Sequence, residues 1–184
     1  MNDIFIPDAD VARAITMDDA VNVMHAAFTD LGRGSSQLQE RVRIFADNTS
    51  LSMMGAIYGA EQVMGAKIYP TVAGQFDFVI PLFSTVTGKL VRIVQGNQLT
   101  RLRTAAVTRL VANISVRASS VPVAIFGSGI QARAHAEAFC LGGFASEILV
   151  CAQVDGEDFV SDIRRRYGIA SRTVEAKLPH LRHV

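Results

Sequence analysis

Two short stretches hold residue types whose spacing could do chemistry. The first is Gly127-Ser128-Gly129-Ile130-Gln131-Ala132. A short apolar run, Val121 to Phe126, leads into it, and an Ala-rich pattern with helical spacing follows. Strand, glycine turn, helix is the context in which G-x-G-x-x-A signals dinucleotide binding. Gly127 would permit the tight turn, Gly129 would let the backbone approach a pyrophosphate, and Ala132 would let the helix pack closely on its strand. The free N–H groups and the positive dipole end of that helix would face the phosphates. The second stretch is Gln98-Leu99-Thr100-Arg101-Leu102-Arg103-Thr104-Ala105-Ala106. Thr100 reads as an N-cap, which places Arg103 and Thr104 in a first helical turn. An Arg there opposes the dipole unless it shares an anion with the free N–H groups. Its fork can hold a carboxylate or phosphate through two parallel hydrogen bonds. From spacing alone, Arg103 reads equally well as such an anchor and as a solvated surface Arg.

Lys67 lies inside an apolar strand, Met64-Gly65-Ala66-Lys67-Ile68-Tyr69, and alternation puts it on one face with Gly65 and Tyr69. A partly buried ammonium wants an anionic partner, but a Lys can also guard a sheet edge. On pattern alone the edge reading leads. Arg41 and Arg43 share a strand face, one of them expected in solvent. His25 sits on an apolar helix flank and reads as structural. His180 and His183 fall in a ragged tail. No Ser-His-Asp or metal-ligand grouping stands out.

The elements that must position these residues follow from the hydrophobic period. Asp8 can cap a short helix through Ala14, and Thr16 a longer one. In the longer helix Val21, Met24, Phe28 and Leu31 share a face, and Gly32 is a stop. Residues 34–39 read as polar loop. The period then changes, and residues 41–45, 51–58, 64–69, 76–84 and 90–94 read as strands, with a turn at Val86-Thr87-Gly88-Lys89. This predicts a largely antiparallel sheet with a helix or two against it. Residues 97–116 return to helical spacing, with Val107, Leu110, Val111 and Ile114 as the expected buried face. Ala118-Ser119-Ser120 is the expected joint, giving domains of residues 1–118 and 119–184. After the glycine turn, residues 147–151 read as a strand, 158–167 as a helix ended by Gly168, and 171–176 as a further strand.

A doubly wound nucleotide domain is built from two βαβαβ halves, and the chain supplies roughly one by this count. The parallel sheet would keep a bare edge, so further chain or another polypeptide is expected to complete it. With 184 residues, nearly half of them hydrophobic, and a net charge of +1, the chain can bury a core, and nothing suggests a nucleic-acid surface. The apolar stretches fall short of a membrane span, and the start, MNDIFIPDAD, lacks the pattern of a signal peptide. Cys140 and Cys151 have no metal or redox spacing. A cytoplasmic protein is the default expectation.

Taken together, Glu40-Arg41-Val42-Arg43, Gly65-Ala66-Lys67, Leu82-Phe83 with Thr87-Gly88, Leu99-Thr100-x-Leu102-Arg103-Thr104-Ala105-Ala106 and Gly127-x-Gly129-x-Gln131-Ala132 resemble the ornithine cyclodeaminase/mu-crystallin family, in order and spacing. The resemblance implies an α/β protein: an N-terminal α+β domain that binds substrate and forms a homodimer, then a Rossmann domain, here incomplete, that binds NAD or NADP. It implies that Arg41, Lys67 and Arg103 hold the carboxylate of a small amino or imino acid. Thr104, Gly127, Ser128, Gly129, Ile130 and Gln131 would lie along the dinucleotide. Family members interconvert amino acids and imines by hydride transfer, as cyclodeaminases, imine reductases or alanine dehydrogenases, and mu-crystallins also serve as binding or lens proteins. A non-catalytic binder and a truncated, inactive family member are therefore the alternatives. The family's catalytic Asp falls beyond Val184. Gln153 stands near where an acidic residue would grip the ribose, which leaves NAD and NADP both open, and Gln75 stands where cyclodeaminases usually carry a Thr near the nicotinamide.

Overall fold

The computed structural model describes residues 4–117 and 120–175, so the His180 and His183 tail and the joint at residues 118–119 lie outside the described residues. Its contacts divide the chain into two compact units, Met1–Arg103 and Thr104–Val184, the division falling inside a helix.

The first unit runs β1 (Phe5–Ile6), α1 (Asp8–Ala14), α2 (Met17–Gly32), β2 (Ser36–Leu38), β3 (Val42–Ala46), β4 (Thr49–Tyr58), β5 (Val63–Val72), β6 (Val79–Ser84) and β7 (Leu90–Gln95), and it takes in the start of α3 (Asn97–Ser115). The seven-stranded sheet has the order β1-β7-β6-β5-β4-β2, with β3 also on β4. Every pairing is antiparallel except β1 on β7. The five strands read from the sequence are all present. The two that escaped, β1 and β2, are two and three residues long, too short to show a period. Gly88 takes φ +68° in the β6–β7 turn, where its N–H donates to Ser84 O at 2.9 Å.

Helix starts follow side-chain chemistry. Thr16 caps α2 through a reciprocal box with Asp19. Asp8 does not cap α1: Pro7 stands at that N-cap, and the Asp8 carboxylate instead accepts from Gln98 N–H at 2.8 Å, at the start of α3. Met17 and Ala20 are the buried residues of α2, while Phe28 on the expected face is 45% exposed.

The second unit continues α3 and adds β8 (Val121–Phe126), α4 (Ile130–Leu141), β9 (Ala145–Cys151), α5 (Gly156–Tyr167) and β10 (Ala170–Thr173). Its three strands are parallel in the order β10-β9-β8. β8 has no strand on its other side among the described residues. Ile148, Val150, Phe159, Val160 and Ile163 form a dry core with Ala136 and Phe139 of α4. Gly168 ends α5 at φ +67°, donating its N–H to Arg164 O.

The expected buried face of α3 is rotated in the structure. Leu102, Ala105, Ala106 and Leu110 are buried, whereas Val111 and Ile114 are exposed. The alanines allow close approach and are packed with Leu102 and Leu110, and the β-branched Val111 and Ile114 stay outside.

Candidate functional site

The cationic face of the first unit is assembled by strand register. Arg43 pairs with Ser52 across β3 and β4, Ser52 pairs with Tyr69 across β4 and β5, and Met54 pairs with Lys67 one row on. Side chains two apart share a face, so Arg43, Ser52, Tyr69 and Lys67 point to the same side. Arg41 immediately precedes β3, and its charge acts on both Lys67 and Tyr69. Arg43 Nε donates to Ser52 Oγ at 3.2 Å, and Ser52 is wholly buried. Burial pushes the Tyr69 phenol up, but hydrogen bonds with Ser52 and Arg43 and the charges of Arg41 and Arg43 outweigh it and leave its pKa below the ordinary tyrosine value.

Lys67 is not at an edge. β5 is hydrogen-bonded to β4 on one side and β6 on the other, so the gatekeeper reading falls. Its Nζ lies 4.8 Å from the Phe78 ring centroid and 5.4 Å from that of Tyr69, and the two rings are 4.9 Å apart. Burial first, then the charges of Arg103 and Arg41, hold its pKa below the ordinary lysine value, with Tyr69 opposing. Of the three residues read from the sequence as carboxylate ligands, Lys67 therefore lies in the field of the other two. Ring faces soften the cost of the ammonium without neutralising it.

Arg103 is not in a first helical turn. α3 begins at Asn97, and the Thr100 N–H already donates to Gly96 O at 2.9 Å. Thr100 is thus inside the helix, and Arg103 lies in the second turn. The Asp8 carboxylate beside Gln98 N–H explains the earlier start, because it meets an orphan donor from outside the helix. The helix-dipole argument for Arg103 falls with the cap. Its neighbourhood stands: Arg103 and Lys67 line one open groove of about 340 Å³ on the sheet face.

In the second unit, Gly127 takes φ +94° and its N–H donates to Cys151 O at 2.8 Å, tying the turn to the end of β9. Gly129 is the N-cap of α4 at φ −72°, ψ −175°, with no side chain capping the helix. A Cβ at Gly129 would meet nothing within 4 Å, so this glycine is not demanded by the fold. It leaves the backbone uncovered at a helix N-terminus, which suits an anionic group such as a pyrophosphate. Ser128 Oγ donates to Val154 O at 2.7 Å, and Arg133 Nε donates to Ser128 O at 3.1 Å. Gln131 O accepts from His135 Nδ1 at 2.7 Å. Ile130 is 73% exposed at the first turn of α4. Thr104 opens this unit, within α3. After β9 come Ala152 and Gln153, and Asp155 takes φ +55° at the start of α5 without capping it. Gln75 is held by main-chain bonds to Val72 in the turn after β5.

Sequence reading missed Ser52, Tyr69 and Phe78 as parts of the cationic site. The available signal was the alternation that puts Tyr69 with Lys67; Ser52 needed the pairing register. Among the described residues no helix is long and apolar enough to cross a membrane.

Comparison with known proteins gives the same frame. The ketimine reductase mu-crystallin of Mus musculus is 27% identical over 135 residues, which are 68% of this chain and 43% of that protein. The probable ornithine cyclodeaminase from Bordetella pertussis Tohama I superposes with a TM-score of 0.88 at 40% identity, covering 94% of this chain and 55% of that one. An archaeal alanine dehydrogenase dimer with bound NAD gives a TM-score of 0.87 at 25% identity, covering 96% and 57%. The chain spans about half the length of the proteins it matches. Residues 1–153 match the family itself, and the chain belongs to the ornithine cyclodeaminase/mu-crystallin family.

Proposed function

We propose that this chain serves an NAD(P)-dependent amino or imino acid oxidoreductase or cyclodeaminase. The observation that carries the reading is the half-buried Lys67, which shares a groove with Arg103 of α3 and whose pKa is lowered by burial first and then by the charges of Arg103 and Arg41. Such a cluster is costly while empty and is relieved by a carboxylate. Arg103 and Arg41 would hold the carboxylate by paired hydrogen bonds, and Lys67 would supply a point charge beside it. The dinucleotide would lie over Thr104, Gly127, Ser128, Gly129, Ile130 and Gln131, supported by the open space at Gly129. Its nicotinamide supplies or accepts the hydride; the protein supplies orientation and charge. The domains are read as a substrate domain through residue 118 and a dinucleotide domain from residue 119.

A homodimer is part of the same proposal. The sheet face opposite Lys67 carries Val42, Ile44, Leu51, Met53 and Ile57, each between 41% and 64% exposed. A contiguous apolar face of this kind marks an interaction surface.

The test is titration of the chain with NADH and NADPH, followed by small amino acids and cyclic imines, with the NADH absorbance followed in parallel. Binding of both with turnover supports the enzyme, and binding without turnover supports a mu-crystallin-like binder. If neither nucleotide binds, the proposal fails.

A further inference from the structure

We propose that Arg133 is a positioning residue for the dinucleotide: by holding the Ser128 carbonyl it fixes the direction in which the Gly129 N–H faces. This rests on the dinucleotide reading of the glycine turn.

The turn is tethered group by group. The Gly127 N–H donates to Cys151 O at 2.8 Å, and Ser128 Oγ donates to Val154 O at 2.7 Å, so the end of β9 and the loop after it hold both. The Ser128 carbonyl accepts from Arg133 Nε at 3.1 Å. Arg133 is itself well placed. Its main-chain N–H donates to Gly129 O at 3.0 Å, its Cζ lies 4.8 Å from the centroid of the Phe159 ring, and its guanidinium is 3.5 Å from the Asp162 carboxylate. Phe159 belongs to the dry core of this unit and is 2% exposed, so the ring is a fixed support for the guanidinium.

In a trans peptide the carbonyl and the N–H point in opposite directions, and the described residues hold no cis bond. With Ser128 O drawn to Arg133, the Gly129 N–H of the same peptide faces away from that guanidinium, at backbone that no neighbouring atom covers. A turn-over of this peptide changes ψ of Ser128 and φ of Gly129, and glycine accepts either sign of φ at little cost. The close approach that a glycine allows therefore comes with a peptide free to flip, and the Nε bond removes that freedom. An N–H aimed beforehand needs no reorganisation when a phosphate arrives.

Gln and Lys separate the parts of this side chain. Arg133→Gln puts a nitrogen donor in the place of Nε, since each is bonded to Cδ, and discards the charge, the ring contact and the ion pair. Arg133→Lys puts a methylene in that place and keeps a cation near Phe159 and Asp162. Calorimetric titration with NADH and with ADP should show Arg133→Gln binding both about tenfold more tightly than Arg133→Lys, the effect of a hydrogen bond to a charged group, although Arg133→Lys should have the higher melting temperature. Adenosine, which carries no phosphate, should bind the native chain and Arg133→Lys alike. Equal affinities in the two variants, or the reverse order, make Arg133 a charge or a packing support and overturn the inference. So does adenosine affinity falling in step with that for ADP. Arg133→Lys keeps the packing, so ADP binding lost with adenosine binding retained, in a variant whose fold circular dichroism confirms, upholds the inference even where Arg133→Gln fails to fold. A native chain that binds neither NADH nor ADP overturns the dinucleotide reading of the turn and this inference together.

Discussion

Gly127 and Gly129 stand two residues apart and should fail in opposite ways when each is changed to Ala. Gly127 takes φ +94°, a region that costs an L-residue about 1–2 kcal/mol. At about 2–4 °C per kcal/mol for a chain of this size, Gly127→Ala should lower the melting temperature by about 2–8 °C. Gly129 takes an ordinary extended conformation, and its added Cβ meets no protein atom within 4 Å. Replacing an N-cap Gly by Ala should therefore cost under about 1 kcal/mol. The same methyl group would stand where a pyrophosphate must approach the α4 N-terminus. Losing one hydrogen bond to a charged group costs about 1.5–3 kcal/mol, or roughly tenfold to more than a hundredfold in affinity. The assay is fluorescence titration with NADH and NADPH beside thermal unfolding of both variants. Native affinity in Gly129→Ala would refute the dinucleotide reading of the turn, and an unaltered melting point in Gly127→Ala would refute the strain argument.

Other expected outcomes follow from the first unit and the thiols. Arg103→Lys keeps the charge but loses the paired geometry, so carboxylate affinity measured by calorimetry should fall about tenfold or more while NADH affinity changes less. The Lys67 pKa is depressed from 10.5 in the fold, so the unfolded chain holds that proton more strongly. Stability from this group is present above 10.5 and is lost as pH falls through the folded value. Lys67→Met should therefore raise the melting temperature at neutral pH and flatten its alkaline rise, while weakening carboxylate binding. Ile44→Asp, at a position 64% exposed on the apolar face, should convert a dimer to a monomer in light scattering; a native chain that is already monomeric at micromolar concentration refutes the dimer. Burial pushes the Cys140 thiol up to about 11, so mass spectrometry after brief native alkylation near neutral pH should find Cys140 unmodified.

What was legible in the sequence was local. Val121 to Ala132 carries its strand, its turn and its helix start in consecutive residues, and the glycine at positive φ follows from sterics alone. The sheet strands announced themselves by alternation. Helix starts were harder, because the partner of the α3 N-terminus is Asp8, ninety residues earlier in the chain. A cap supplied from that distance leaves no mark beside the helix, and Thr100 offered a local alternative that the fold does not use. The buried face of α3 was only partly legible, Leu110 being buried as expected and Val111 and Ile114 not, for a related reason. Val111 and Ile114 are more hydrophobic than Ala105 and Ala106, yet the alanines are the ones that reach 0% exposure, because close packing selects on size as well as polarity.

The cationic site shows how a lone residue changes meaning once register is known. Lys67 in an isolated strand reads as a solvated guard. With β4 and β6 on either side, a guard has no edge to protect. A surface Lys would also keep its charge in water, away from other cations. Lys67 instead lies by two aromatic rings and within the field of Arg41 and Arg103, contributed by widely separated parts of the chain. Folding alone gains nothing from bringing three like charges together. Lys67 carries the cost, in desolvation first and then in repulsion from Arg103 and Arg41, and a fourth, negative group beside it would relieve both. The sequence separation of Arg41, Lys67 and Arg103 hides that logic, and the strand pairing, the groove that Lys67 shares with Arg103 and the charge of Arg41 acting on Lys67 expose it.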